Sequence, residues 1–315
     1  MPTIRRPSRT RRPKVVVLGD LVLDVVLAPA RQLAASSDVP GRVALVQGGS
    51  AANTARWIAR LGARSSLIAA VGRDATGRAL VTALRADGVV LHVTRIAAAR
   101  TGRIGVLVAP GGERSFVQDR AAAERLAPGD LRPAWFAGAD VVHLPLYSML
   151  GSLAATGRRA LELARSAGAT TSVDLASIGP LLADGRRAAR ALLDEIAPDL
   201  LFATAAEAEA LLGLGPLEEL LEVASIVVVK RGARGATVLA RNDGGLLRFE
   251  AATEPRTTID TTGAGDAFDA GFLVGYLAAS SAGRSRSASL HRAALAGHRT
   301  AARQLSVPRP ELAIG

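Results

Sequence analysis

The chain has 315 residues, 49% of them hydrophobic but only 3% aromatic, so its core has to be built from Ala, Val and Leu. Cysteine is absent, which excludes disulfides, thiolate metal sites and a Cys nucleophile, and fits a reducing, cytoplasmic setting. The net charge of +11 suits anionic ligands such as nucleotides, and no apolar run reaches membrane-spanning length.

Six of the positive charges lie within the first fourteen residues, from Arg5 to Lys14. Residues 1–13 lack apolar periodicity and are punctuated by Pro, so they read as a disordered basic tail. A solvated leader outweighs a polyanion-binding arm there, because charge runs are usually solvated faces. The basic start leads straight into a strand pattern, so no signal peptide is expected. Lys14–Leu18 is a β-branched run ending at Gly19, and Asp20 and Asp24 interrupt the apolar stretch from Val15 to Ala28. Gly48-Gly49-Ser50 opens a helix over Ala51–Leu61. Strand and helix patterns then alternate: strand Leu67–Val71, helix Ala79–Ala86, strand Asp140–Leu144 and helix Leu153–Ser166. Next come strand Ser172–Leu175, helix Arg187–Ile196, strand Leu200–Phe202 and a helix through Leu212. Strands Ile226–Val229 and Ala236–Ala240 precede the last helices, Ala267–Ala279 and His291–Leu305. This alternation predicts a parallel sheet covered on both faces. Residues 29–47 and 92–120 break the rhythm with Gly, Pro and short alternating runs, and read as antiparallel excursions that form a lid.

The segment Asp260-Thr261-Thr262-Gly263-Ala264-Gly265-Asp266-Ala267-Phe268 carries the most chemistry. A small-residue loop opening into a buried helix aims backbone N–H groups, and the positive end of the helix, at one point. An anion fits there, with Asp266 beside it in the first helical turn. That arrangement suits phosphoryl transfer. Neither lysine, Lys14 or Lys230, sits in a P-loop frame, and a Rossmann glycine fingerprint and the protein-kinase signatures are absent. Any nucleotide phosphate therefore falls to the Gly-Ala-Gly loop. Asp20, Asp24 and the Gly48-Gly49-Ser50-Ala51-Ala52-Asn53 turn follow the first strand, where side chains face the ligand crevice of a parallel sheet. Carboxylates and a carboxamide there suit a polyhydroxylated ligand.

Together, Gly48–Ala55 and Asp260–Gly271 resemble the N- and C-terminal signatures of the PfkB carbohydrate kinases, in the ribokinase-like superfamily. The resemblance covers nearly all of the chain after the tail. It implies a single three-layer α/β/α domain over 14–315, with a mostly parallel central sheet and a small β-sheet lid. It also implies transfer of the γ-phosphoryl group of ATP to a sugar hydroxyl. By it, Asp266 is the catalytic base and Gly263, Ala264 and Gly265 form the anion hole. Asp24, Gly48, Gly49 and Asn53 contact the sugar, with Asp20 nearby, and Arg120 meets an acidic or phosphorylated substrate. A helix N-terminus depresses the pKa of Asp266, which is no obstacle when the proton is taken late.

Other positions match less fully. Thr204-Ala205-Ala206-Glu207 resembles the family's Asn-x-x-Glu motif with Thr in place of Asn, so Glu207 is expected to serve Mg2+ through water. Val227–Gly235 resembles the strand and turn bordering the nucleotide, which puts Lys230, Arg234, Gly232 and Gly235 near ATP. Asp260 and Thr262 occupy positions where some members bind a monovalent cation, so potassium is a further expectation. His143, without ligands at metal spacing, reads as a buried core His, His298 as a residue of an adenine pocket, and Trp57 and Trp135 as core. Pairing of lid edge strands suggests a homodimer. Three alternatives stay open: a nucleoside kinase, a binding protein that lost catalysis, and a nucleic-acid role for the tail. Phe116 alone in 92–120 offers an aromatic face for a base, which tilts the reading towards a sugar.

Overall fold

The computed structural model describes residues 11–242, 245–253 and 261–314. In chain order the strands and helices are β1 (Lys14–Leu18), β2 (Val22–Pro29), β3 (Gly41–Gly48), α1 (Ser50–Arg60), β4 (Arg64–Gly72), α2 (Ala75–Ala86), β5 (Val90–Ile96), β6 (Arg103–Val108) and β7 (Arg114–Asp119). They continue with α3 (Pro133–Phe136), β8 (Val141–Pro145), α4 (Ala154–Ser166), β9 (Thr170–Asp174), α5 (Ile178–Leu181), α6 (Gly185–Ile196), β10 (Leu200–Thr204) and α7 (Ala205–Leu212). The last are β11 (Ile226–Lys230), β12 (Ala236–Asn242), β13 (Gly245–Ala251), α8 (Ala264–Ser281) and α9 (Arg286–Ser306).

The main sheet runs β13-β12-β11-β10-β9-β8-β1-β4-β5. Every neighbouring pair from β11 to β5 is parallel, and β12 and β13 continue one edge antiparallel. Its central strands are apolar and buried because helices cover both faces. The two-residue period of the strands sorts their side chains between two cores. Val16, Leu18, Ile68, Val142 and Leu144 pack with Leu161 of α4, Leu193 of α6 and Leu211 of α7. Val15, Val17, Leu67, Ala69 and Val141 face the other way, onto Ile58 of α1, Leu84 of α2, Phe272 of α8 and Leu290 of α9. His143 lies buried in the central strand β8 and bonds Ser172 Oγ through Nδ1 at 3.0 Å, and burial pushes its pKa down to about 4. It is a neutral core residue. Trp57 also packs in the core, with Nε1 donating to Gln304, whereas Trp135 is half-buried and stacks on His92.

A second sheet, β3-β2-β6-β7, forms the lid. Its membership differs from the sequence expectation at both ends. Val22–Pro29 is a lid strand, paired antiparallel to β3 and parallel to β6. Residues 92–96 are not in the lid, since they belong to β5 and pair with β4 in the main sheet. Gly and Pro content located the loops of this region, but strand pairing is long-range and decided which sheet each strand joined. Arg11 also departs from the expected tail: its guanidinium pairs with Asp140 at 2.7 Å beside β1. Residues 1–10 lie outside the described residues. Among the described residues, no helix is long and apolar enough to cross a membrane.

Candidate active site

Asp20 follows β1, Asp174 ends β9, Thr204 ends β10 and Lys230 ends β11, so these side chains gather at the carboxyl edge of the parallel sheet. The N-terminal turns of α1 and α8 converge there, and the lid lies over them. Between them is a cavity of about 640 Å3. Asp24, Ile104 and Gln118 stand side by side across β2, β6 and β7 and line it.

At its floor, Gly263 has φ +76° and brings the chain into α8 from a left-handed turn that favours glycine. Three residues later Asp266 receives two donors: Ser50 Oγ gives to Oδ1 at 2.6 Å and Asn53 Nδ2 to Oδ2 at 2.8 Å. These bonds tie the two signature segments together, 216 and 213 residues apart in the chain. Asp266 is half-buried by surface area, yet the crowded cavity floor desolvates it, and its pKa is pushed up to about 7. Ser50 and Asn53 work against that rise. The depressed value expected from the helix N-terminus is thus corrected: desolvation outweighs the helix dipole, which is worth about 0.3–1 kcal/mol.

Gly263, Gly265, Thr261 and Thr262 line the cavity beside Asp266. Ala264 does not, and its amide donates to Thr261 O at 3.3 Å. Asp260 lies outside the described residues. Lys230 also lines the cavity, but it is engaged in a buried cluster, with Nζ 3.1 Å from Asp174 Oδ1 and 3.1 Å from Asp269 Oδ1. Burial opposes its charge, and Asp174, Asp269 and Glu207 outweigh that and hold its pKa above the ordinary lysine value. Gly232 and Gly235 sit in the β11–β12 connection and do not line this cavity, and Arg234 between them is exposed. His298 bonds Ala251 O and packs against Phe268, also off this cavity.

Thr204 and Glu207 form a capping box on α7: the Thr204 hydroxyl accepts from Glu207 N at 3.2 Å, and Glu207 Oε2 accepts from Thr204 N at 2.7 Å. Both line the cavity. Burial, then the nearby Asp174, raise the pKa of Glu207, and the Thr204 hydrogen bonds and the Lys230 charge work against that rise.

At the lid end, Asp20 pairs with Arg120 at 2.8 Å, and the Arg120 guanidinium stacks on Tyr147 at 3.9 Å. Arg120 is therefore balanced by Asp20. Asp24 pairs with Arg309 at 2.6 Å. A Cβ on Gly48 would come within 1.8 Å of Asp24 Oδ1, so Gly48 makes room for that carboxylate and does not itself line the cavity. Gly49 and Asn53 do line it.

Sequence reasoning missed Ser50 as a donor to Asp266, together with Asp174, Asp269, Tyr147 and Arg309. Ser50 and Asp269 lie inside the two quoted signatures, and Asp174 is a carboxylate at the end of an apolar strand. These signals were available. Arg309 had none.

Comparisons with known proteins identify the family. The family model "pfkB family carbohydrate kinase" matches residues 12–311. A fructokinase of Klebsiella pneumoniae is 32% identical over 278 residues, covering 84% of this chain and 85% of that protein. The crystal structure of adenosine kinase from Sinorhizobium meliloti superposes with a TM-score of 0.79 at 25% identity, covering 95% of this chain and 96% of that one. A fructokinase from Vibrio cholerae O395, solved with fructose, ADP and calcium ion, shares the fold, with a TM-score of 0.74 at 23% identity over 93% of each chain. A family match running almost end to end, with a relative this similar along most of its length, leads to one conclusion: the chain belongs to the pfkB family of carbohydrate kinases, and is an ATP-dependent phosphotransferase with an alcohol group as acceptor.

Proposed function

We propose that the chain phosphorylates a hydroxyl of a neutral sugar, with Asp266 as the base at the cavity floor. The observation that carries this reading is the Asp266 carboxylate, fixed by Ser50 and Asn53 beside the opening turn of α8. A carboxylate near pKa 7 is matched to taking a proton at neutral pH. The acceptor oxygen forms the new bond to phosphorus, the bond to the ADP oxygen breaks, and the acceptor proton passes to Asp266. Amides of Gly263 and Gly265, at the positive end of α8, stabilise charge on the phosphoryl oxygens.

The donor set fits a magnesium ion: Glu207 and Asp174 are crowded carboxylates on the cavity wall. Mg2+ binds oxygen ligands, largely through its own waters, and would neutralise phosphate charge there. Thr262 also lines the cavity, and with Asp260, which lies outside the described residues, it is the proposed monovalent-cation site.

Asp20, Asp24, Asn53 and Gln118 offer acceptors and donors matched to sugar hydroxyls. The named fructokinases make D-fructose the first acceptor to test. A nucleoside is the second reading, favoured by Phe116 and Tyr147 on the cavity wall and by the adenosine kinase likeness. The test is ATP consumption over a panel of sugars and nucleosides, with and without potassium. Turnover with fructose or another sugar supports the proposal, turnover with adenosine alone selects the second reading, and total inactivity returns the binding-protein alternative.

We also place the protein in the cytoplasm, and propose that two copies pair through the lids. Leu27, Val43 and Val117 are exposed on the lid face opposite the cavity. A monomer by sedimentation at micromolar concentration would dismiss that pairing.

A further inference from the structure

After α9 the chain does not leave the fold. Glu311 forms an antiparallel bridge with Val46 of β3, Leu312 N donates to Leu45 O at 2.7 Å, and Glu311 pairs with Arg42 at 2.6 Å. The C-terminal segment is thus strapped along lid strand β3. At its other end, Gln304 of α9 donates to Thr262 O beside the anion loop. The strap therefore links the phosphate end of the site to the lid.

Arg309 lies in the middle of this strap and is buried, 9% exposed. Its Nη1 donates to Asp24 Oδ2 at 2.6 Å and reaches Gln47 O at 3.4 Å. It does not line the main cavity, whereas Asp24 does. Asp24 is consequently held by the Arg309 charge, with its carboxylate lying close against Gly48, and it lines the cavity from that position. The same contact reaches the base. Gln47 Nε2 donates to Gly48 O at 2.8 Å and to Asn53 Oδ1 at 3.2 Å. Those bonds leave Asn53 Nδ2 as the group facing Asp266. An amide turned the other way would set oxygen against carboxylate.

We infer that Arg309 is a positioning residue for the acceptor: through Asp24 and Gln47, the C-terminal strap sets the sugar-facing edge of the site without touching the sugar. The inference rests on the reading that the Asp24 end of the cavity receives the acceptor. Buried charge pairs of this kind hold side chains in one geometry, and a buried carboxylate that loses its partner moves or protonates.

The test uses the full chain as wild type, Arg309→Met, Arg309→Lys and Asp24→Asn, with ATP and D-fructose as substrates. Arg309→Met should raise the fructose KM by about tenfold or more, as for loss of one charge-assisted hydrogen bond. The ATP KM should stay within about twofold, because the strap contact lies at the acceptor end, and any fall in kcat should be smaller than the rise in fructose KM, since Asn53 keeps its bond from the Gln47 side chain. Arg309→Lys should restore part of the affinity, which a role in folding alone would not predict for KM. An unchanged fructose KM in Arg309→Met overturns the inference. An unchanged fructose KM in Asp24→Asn instead overturns the acceptor-end reading. Amide hydrogen exchange at Leu312 and along 42–48 needs no substrate. Arg309→Met should speed it, and unchanged protection overturns the strap even when fructose is not turned over.

Discussion

Replacing Ser50 by Ala removes one of two side-chain donors from the Asp266 carboxylate, the 2.6 Å bond to Oδ1. Both donors favour the ionised form, against the desolvation that sets the pKa at about 7. A hydrogen bond to a charged group is worth about 1.5–3 kcal/mol, and about 1.4 kcal/mol corresponds to one pH unit. Ser50 lines the cavity, so water can take up part of the lost bond and the lower end applies. The Asp266 pKa should therefore rise by about one pH unit in Ser50→Ala. The assay is kcat/KM for the acceptor against pH, which reports groups on the free enzyme. In the wild type the acidic limb should fall off below about pH 7, because the base must be ionised. In Ser50→Ala it should move to higher pH, and the two profiles should converge well above it. An unmoved limb, or one shifted to lower pH, would refute Asp266 as the titrating base. The same group has a stability signature. Its pKa is raised from 3.8, so its contribution to folding is greatest when protonated and is lost as pH rises from about 4 through about 7.

Asp266→Asn should lower kcat by a factor of about 10² or more, with ATP affinity by calorimetry nearly unchanged. Wild-type turnover would remove the base assignment. Lys230→Met should leave Asp174 and Asp269 uncompensated and cost about 3–5 kcal/mol in denaturant unfolding, since breaking a buried pair strands its partners. An unchanged unfolding midpoint would mean the cluster is not ionised. Chelation of magnesium by EDTA should abolish turnover, with recovery on re-addition; activity that survives would put Glu207 and Asp174 to another use. Potassium should raise turnover over choline buffer, and full activity in choline would dismiss the monovalent-cation site at Thr262.

Much of the architecture was legible in the sequence because it is written in local pattern. The buried runs at Lys14–Leu18 and Ile226–Lys230 and the turn before α8 follow from residue periodicity and small-residue geometry over a few positions. The proposed base and the turn proposed to hold phosphate lie within one short segment, so a signature could mark them. The chain alone determined that a small-residue turn opens into a buried helix with a carboxylate in its first turn.

The tertiary structure decided what that carboxylate experiences. Its high pKa comes from the crowded cavity floor and opposes the helix-end effect that local reasoning foresees. The lid was misread at both ends because Val22–Pro29 and Val90–Ile96 have similar strand patterns and differ only in their partners. Lys230 was expected at phosphates, yet it is committed to two aspartates 56 and 39 residues away. Arg309 meets Asp24 across 285 residues of chain. Pairings of this length depend on how whole elements stack, which no window of sequence contains, and they fix the electrostatics of the site that local pattern can only locate.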